Sequence, residues 1–341
     1  MHDPWHVDET SFPRQAPPAE QLRFLLNYAV LAPSGHNTQP WLFQVREDQA
    51  RVYADRTRAL PVVDPHDREL VISCGAALYN LRVAIRRFGY AAPVELLPDP
   101  SEPDLLAVAR LGAPQPPAPD DERRFAAIPL RRTNRRPFEA RPLPAELITR
   151  LSAAAGEESA WLAVVEDEGR RNAIADLISE GDRIQGADPP FRRELAAWIH
   201  PNRTRCRDGM PGFAHGFGDL TSRLGPFVIR TFDWGNGQAA KDRQLALGSP
   251  VLAVIGTAAD DPRSWLQAGQ ALSNVLLLAR ADGVFASYLN QPTEIPDLRR
   301  RLAARLERGD YPQLVLRFGY GEPVRPTPRR PVAEVLLEPA P

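Results

Sequence analysis

Leu22, Leu25, Leu26, Ala29 and Val30 fall at i, i+3, i+4, i+7 and i+8, which predicts an amphipathic helix opening at the Pro-Ala-Glu of 18–20. The same spacing returns at Leu272, Val275, Leu276 and Ala279, but there the stretch is apolar nearly all round, as a central buried helix requires. WLFQV at 41–45, WLAVV at 161–165 and VFASYL at 284–289 read as strands. Unbroken apolar runs such as 250–255 and 275–279 are far too short to span a bilayer.

These elements repeat. CGAALYNLRVAIRRFGY (74–90) and AGQALSNVLLLARADGV (268–284) match without a gap at Gly, Ala, Leu, Asn, Arg and Gly. FPRQAPPAEQL (12–22) resembles FEARPLPAELI (138–148), each helix leads to a strand beginning Trp-Leu, and ARLGAP (109–114) answers LRFGYG (316–321). Four matches in one order predict an internal duplication, with halves at 1–125 and 126–341. Each half reads helix, strand, long buried helix, strand, then an arm. Half two is longer, and its excess at about 182–247 is expected to be an insertion outside the shared core.

Composition narrows the class. The 341 residues suit two domains or one duplicated domain. A formal net charge of −1 argues against a nucleic-acid or membrane-surface partner. Only Cys74 and Cys206 occur, without metal spacing, and the N-terminus MHDPWHVDET has no signal-peptide character, so a reducing cytoplasm is expected. Lysine occurs once, at Lys241, among 42 basic residues, so an arginine cluster is weak evidence alone. The 36 prolines gather at 93–119 and 323–331, marking linkers and arms.

Two segments differ between the halves. APSGHNTQPW (32–41) has only the degenerate AAAGEESAWL opposite it, and RRTNRRPF (131–138) faces WHVDETSF (5–12). A fold needs its core in both copies, whereas a ligand site built across the pair needs each part once. RRTNRR offers always-charged guanidinium forks for a phosphate or an electron-rich ring edge, with neutral donors at Thr133 and Asn134. Ser34-Gly35-His36-Asn37, after the helix stop at Pro33, makes a small-residue cradle for an anion or ring edge. TPRRPV (327–332) adds an Arg pair on a terminal arm.

PSGHNTQPW, the Arg-Arg-Thr-x-Arg stretch, AGQALSNVLLLARADG and GYGEP…TPRRP together resemble the FMN-dependent nitroreductase family, from about residue 20 to 335. DRELVISCGAALYNLRVAI and YPQLVLRFGYGEP…PTPRRP are similar to its Acg-type branch, with two nitroreductase-like halves in one chain. The resemblance implies an α+β nitroreductase-like fold whose half-domains form an intramolecular pseudo-dimer. It also implies that Arg131, Arg132, Thr133 and Arg135 hold the phosphate and pyrimidine edge of FMN. Ser34, His36, Asn37 and Gln39 would line the flavin from the other half. Leu289, Asn290 and Gln291 would lie near its N5, and Arg329 and Arg330 would return to the phosphate. The motif is one residue longer than usual here, so both Arg135 and Arg136 are candidates to face the ring.

The implied activity is hydride transfer from NADH or NADPH through FMN to a small electron acceptor such as a nitroaromatic or quinone, with no side-chain catalyst required. The alternative is a non-catalytic flavin binder, because the insertion, with Trp198, Phe213, Phe217 and several Gly, has the composition of a lid. One flavin per monomeric chain is expected. A second site would set GEES (156–159) against WHVDET (5–10), where Asp8, Glu9, Glu157 and Glu158 repel a phosphate. Other chemistries fit poorly: WGNGQAA (234–240) lacks a βαβ frame, no Gly-x-Ser-x-Gly occurs, and His200, Cys206 and His215 have no zinc-finger spacing.

Overall fold

Two antiparallel four-stranded sheets flank a crossed pair of long helices. A computed structural model describes residues 4–216 and 218–337; Phe217, named above with the insertion, lies outside them. The first half runs α1 (Pro18–Ala29), β1 (Trp41–Arg46), β2 (Gln49–Ala54), α2 (Arg68–Arg87), β3 (Val94–Leu96) and β4 (Leu105–Arg110). A short α3 (Pro119–Ala127) then leads to α4 (Ala145–Gly156) and β5 (Trp161–Val164). Next come α5 (Glu168–Ala187), α6 (Pro189–Ala197), β6 (Ile199–His200), β7 (Met210–Pro211), α7 (Asp219–Thr231) and α8 (Gly235–Gly248). β8 (Val251–Thr257), α9 (Pro262–Ala281), β9 (Phe285–Tyr288), α10 (Gln291–Glu294), α11 (Pro296–Arg305) and β10 (Tyr311–Gly319) complete the order.

The strand orders are β1-β2-β4-β3 and β5-β8-β10-β9. Helix, strand, strand, central helix, strand, strand is thus the sequence of elements in both sheets. The second strand of each sheet is absent from the periodicity reading. Ala50, Val52 and Ala54 of β2 are small or medium residues alternating with half-exposed ones, a weak signal. In the first half β1 and β2 pair directly, whereas α5 to α8 separate β5 from β8. The extra segment therefore starts directly after β5; α5 is one continuous helix that runs through position 182.

The central helices touch through glycine. A Cβ on Gly75 of α2 would stand 2.4 Å from Leu266 O, and one on Gly269 of α9 would stand 2.0 Å from Ile72 O. Each helix is buried along most of its length, as the all-round apolar pattern requires. Asn80 of α2 donates to Tyr28 O of α1 at 3.2 Å, and Asn274 of α9 donates to Ala154 O of α4 at 2.9 Å. The sequence repeat pairs these same glycines and asparagines. Beyond β10 the chain returns to the first half, where Leu337 N and Val335 O bond Phe43 of β1, both at 2.7 Å. Among the described residues, no helix is long and apolar enough to cross a membrane.

Candidate functional site

Segment 131–135 lies extended beside β9, with Asn134 N bonded to Ala286 O at 3.0 Å. Side chains of an extended segment alternate in direction. Arg131, Thr133 and Arg135 accordingly line a central cavity of about 580 Å³. Arg132, Asn134 and Arg136 do not line it. Arg132 stacks on Trp5, its guanidinium 3.7 Å from the ring centre, and Arg136 is exposed. Arg132 is thus removed from the expected lining by strand alternation, and the same alternation separates Arg135 from Arg136.

The opposite wall is the loop after α1. Ser34, His36 and Asn37 line the cavity, as do Leu289, Asn290 and Gln291 after β9, and Arg329 from the terminal arm. His36, Asn37 and Gln39 hold φ of 47°, 57° and 53°. Three non-glycine residues in the left-handed region within four positions is strain of the kind found at ligand sites. Gln39 is fully buried but stands behind the loop. Its amide donates to Arg207 O at 2.8 Å and accepts from Arg330 N at 2.8 Å, so it ties loop, insertion and arm together. Arg330 likewise turns from the cavity, donating to Glu334 O at 2.7 Å. Asn37 is saturated by protein: it donates to Gly209 O at 2.8 Å and Pro328 O at 3.1 Å, and accepts from Arg329 at 2.7 Å.

Arg131, Arg135 and Arg329 are unpaired with any carboxylate among the described residues. Arg131 donates to Leu31 O at 3.3 Å and Arg329 to Ala32 O at 3.1 Å, while Arg135 reaches Met210 Sδ at 3.5 Å. Burial lowers the pKa of all three, and Arg131 and Arg132 add to the shift at Arg329. Burial, then Arg135, pulls His36 down to about 4, so its imidazole is neutral. Arg131 Nε, Arg329 Nε, His36 Nδ1 and Tyr288 OH are buried without hydrogen-bond partners. Buried polar atoms in native proteins nearly always find a partner, so these four retain hydrogen-bonding capacity for a ligand or water.

Sequence reasoning missed the acidic side of the cavity. Gln291 Nε2 donates to Asp182 Oδ1 at 2.9 Å and Asp242 Oδ2 at 3.0 Å. Burial pushes Asp182 up to about 8, with Asp242 adding to it, and raises Asp242 as well. Glu69 on α2 rises to about 8, from burial first and Glu294 second. The insertion that was expected outside the core is therefore a wall of the cavity, through Asp182, Phe191, Met210, Trp234 and Asp242. The segment's helical pattern carries no mark of which face meets the cavity. A separate hollow of about 740 Å³ beside Arg14, Arg87 and Phe88 is an open depression without such buried unpaired groups.

No family model matches the chain. It is 34% identical over 327 residues to the "Putative NAD(P)H nitroreductase Rv3131" of Mycobacterium tuberculosis, covering 94% of this chain and 92% of the relative. It is 30% identical over 328 residues to the "Putative NAD(P)H nitroreductase acg" of the same organism, covering 92% and 94%. Among solved structures it is similar to the FMN and NADPH-dependent nitroreductase NfnB of Sphigopyxis sp. strain HMH, with 20% identity, a TM-score of 0.43, and coverage of 64% of this chain and 99% of that one.

Proposed function

The chain belongs to the nitroreductase family, and on that premise we propose that its central cavity holds one FMN and passes hydride from NADH or NADPH to a small electron acceptor such as a nitroaromatic or quinone. The observation that carries the reading is the convergence of buried Arg131 and Arg329 and half-buried Arg135, all without carboxylates among the described residues, on the strained Ser34–Gln39 loop. Three desolvated guanidiniums call for an anion, and a phosphate accepts from them in bidentate geometry. The unpartnered His36 Nδ1 and Tyr288 OH suit a polar, planar ring beside that phosphate. The residues present therefore fit the group.

FMN supplies the hydride-accepting and hydride-donating centre when bound. The protein's share is placement and field. Arg131, Arg135 and Arg329 would hold the phosphate or offset negative charge on the ring. Thr133 and Ser34 would add neutral hydrogen bonds, and Leu289, Asn290 and Gln291, which line the same cavity, would lie beside the group. Neutral His36 donates or accepts without adding charge.

One FMN per monomeric chain, in the cytoplasm, remains the proposed state. Where a second site would form, Glu158 pairs with Arg82 at 2.5 Å and Glu157 with Arg124 at 3.3 Å. Those carboxylates are already engaged by arginines. A second reading, a flavin holder without turnover, is favoured by the insertion's Phe191, Met210 and Trp234, which line the cavity. Two measurements separate the readings. Flavin absorbance that survives gel filtration, with NAD(P)H consumed on addition of an acceptor, supports the enzyme. Bound flavin without consumption supports the holder, and a colourless protein that takes up no FMN refutes both.

A further inference from the structure

The insertion carries a second cluster of ligand-type side chains, distinct from the cavity. A ring nitrogen of His200, at the end of β6, and Cys206 Sγ and a carboxylate oxygen of Asp208, on the connection to β7, all lie within 4.8 Å of one another. His200 Nε2 is buried and makes no hydrogen bond; Asp208 Oδ1 stands 3.6 Å from it. The loop is shaped around that nitrogen. Gly209 has φ +65°, and a Cβ there would lie 2.4 Å from His200 Nε2, so only glycine lets the chain turn so close to the imidazole edge. Asp208 divides its oxygens: Oδ2 pairs with Arg58, which leaves Oδ1 on the imidazole side.

We propose that His200 Nε2, Cys206 Sγ and Asp208 Oδ1 bind one zinc-class divalent cation, with water as the fourth ligand. An imidazole, a thiolate and a carboxylate are the donor types that zinc takes, at about 2.0–2.3 Å. Tetrahedral ligands at those lengths stand about 3.3–3.8 Å apart, so the trio needs to close by about an ångström, within the reach of the exposed Cys206 side chain. Binding releases the Cys206 thiol proton to solvent. Arg58 is the outer partner that orients the carboxylate, and it is itself fixed to Thr38 O at 2.7 Å. The site locks the insertion to the cavity loop, because Gly209 N bonds Asn37 O at 3.1 Å and Gly209 O accepts from the Asn37 amide at 2.8 Å.

The chemistry gives a direct readout on the untagged, flavin-loaded protein. Cys74 is buried and Cys206 exposed, so a disulfide reagent reports Cys206 alone. Zinc chloride should slow that reaction at least tenfold, and a chelator should restore it. After zinc loading and desalting, elemental analysis should find about one zinc per chain, lost in Cys206→Ser and in His200→Ala with flavin content unchanged. A thiol reaction rate indifferent to zinc, or equal zinc in wild type and Cys206→Ser, overturns the proposal. Neither result bears on the flavin reading.

Discussion

Arg329 donates to Asn37 Oδ1 at 2.7 Å, joining two residues 292 positions apart at the back of the cavity. Asn37 spends its amide on the insertion and the arm, so it holds Arg329 in place while Arg329 keeps its charge for a ligand. In the empty protein that charge is a burden. Arg329→Met is therefore expected to raise the melting temperature of flavin-free protein and to weaken FMN binding about ten- to hundredfold, the loss of one charge-assisted contact. Thermal unfolding and flavin-fluorescence titration check the two directions. Equal FMN affinity in a folded variant would remove Arg329 from the site.

Strand alternation separates neighbouring arginines. Arg135→Ala should weaken FMN binding about tenfold or more, whereas Arg136→Ala, at an exposed position, should change it less than twofold. Titration of both variants side by side tests this. The reverse order would mean that the 131–135 segment is out of register by one residue.

The glycine crossing makes a stability prediction. Gly75→Ala or Gly269→Ala puts a methyl into the partner helix backbone, where no flexible side chain yields. Each should cost about 1–3 kcal/mol or more in urea unfolding, and the pair should be non-additive because one helix shift relieves both. A Gly269→Ala protein of wild-type stability would contradict the packing described.

Asp182 sets a pH dependence. Its folded pKa stands at about 8 against an ordinary 3.8, so the native state holds a proton that the unfolded chain releases in acid. The contribution is full below about pH 4 and is lost as pH rises towards 8. Asp182→Asn should therefore gain melting temperature over wild type progressively from pH 5 to pH 8. A constant offset across that range would count against a buried, protonated Asp182.

Zinc should act through the insertion's own side chains. Loading the proposed His200–Cys206–Asp208 site is expected to raise wild-type melting temperature by a few degrees, since a ligand that binds only the native state stabilises it. The Cys206→Ser variant should show no such rise under the same zinc concentration. A rise of equal size in the variant would place the stabilising zinc elsewhere.

What the sequence determined by itself was local and periodic. Leu22, Leu25, Leu26 and Ala29 are buried as their helical spacing requires, and the largely apolar stretch at 268–281 lies in the centre. Gly75 and Gly269 held matching positions in the repeat before any crossing was visible. Ten of thirteen expected site residues line one cavity, because the two segments that each half keeps alone meet there. The tertiary structure decided the rest. Arg132, Gln39 and Arg330 have the right chemistry, but an extended strand sends alternate side chains apart and a tight loop sends Gln39 behind its own turn. The acidic wall of Glu69, Asp182, Asp242 and Glu294 comes from helices whose patterns only say that some face is buried. Which face meets the cavity depends on how α5 and α8 pack across the sheet, a long-range choice that no local period encodes.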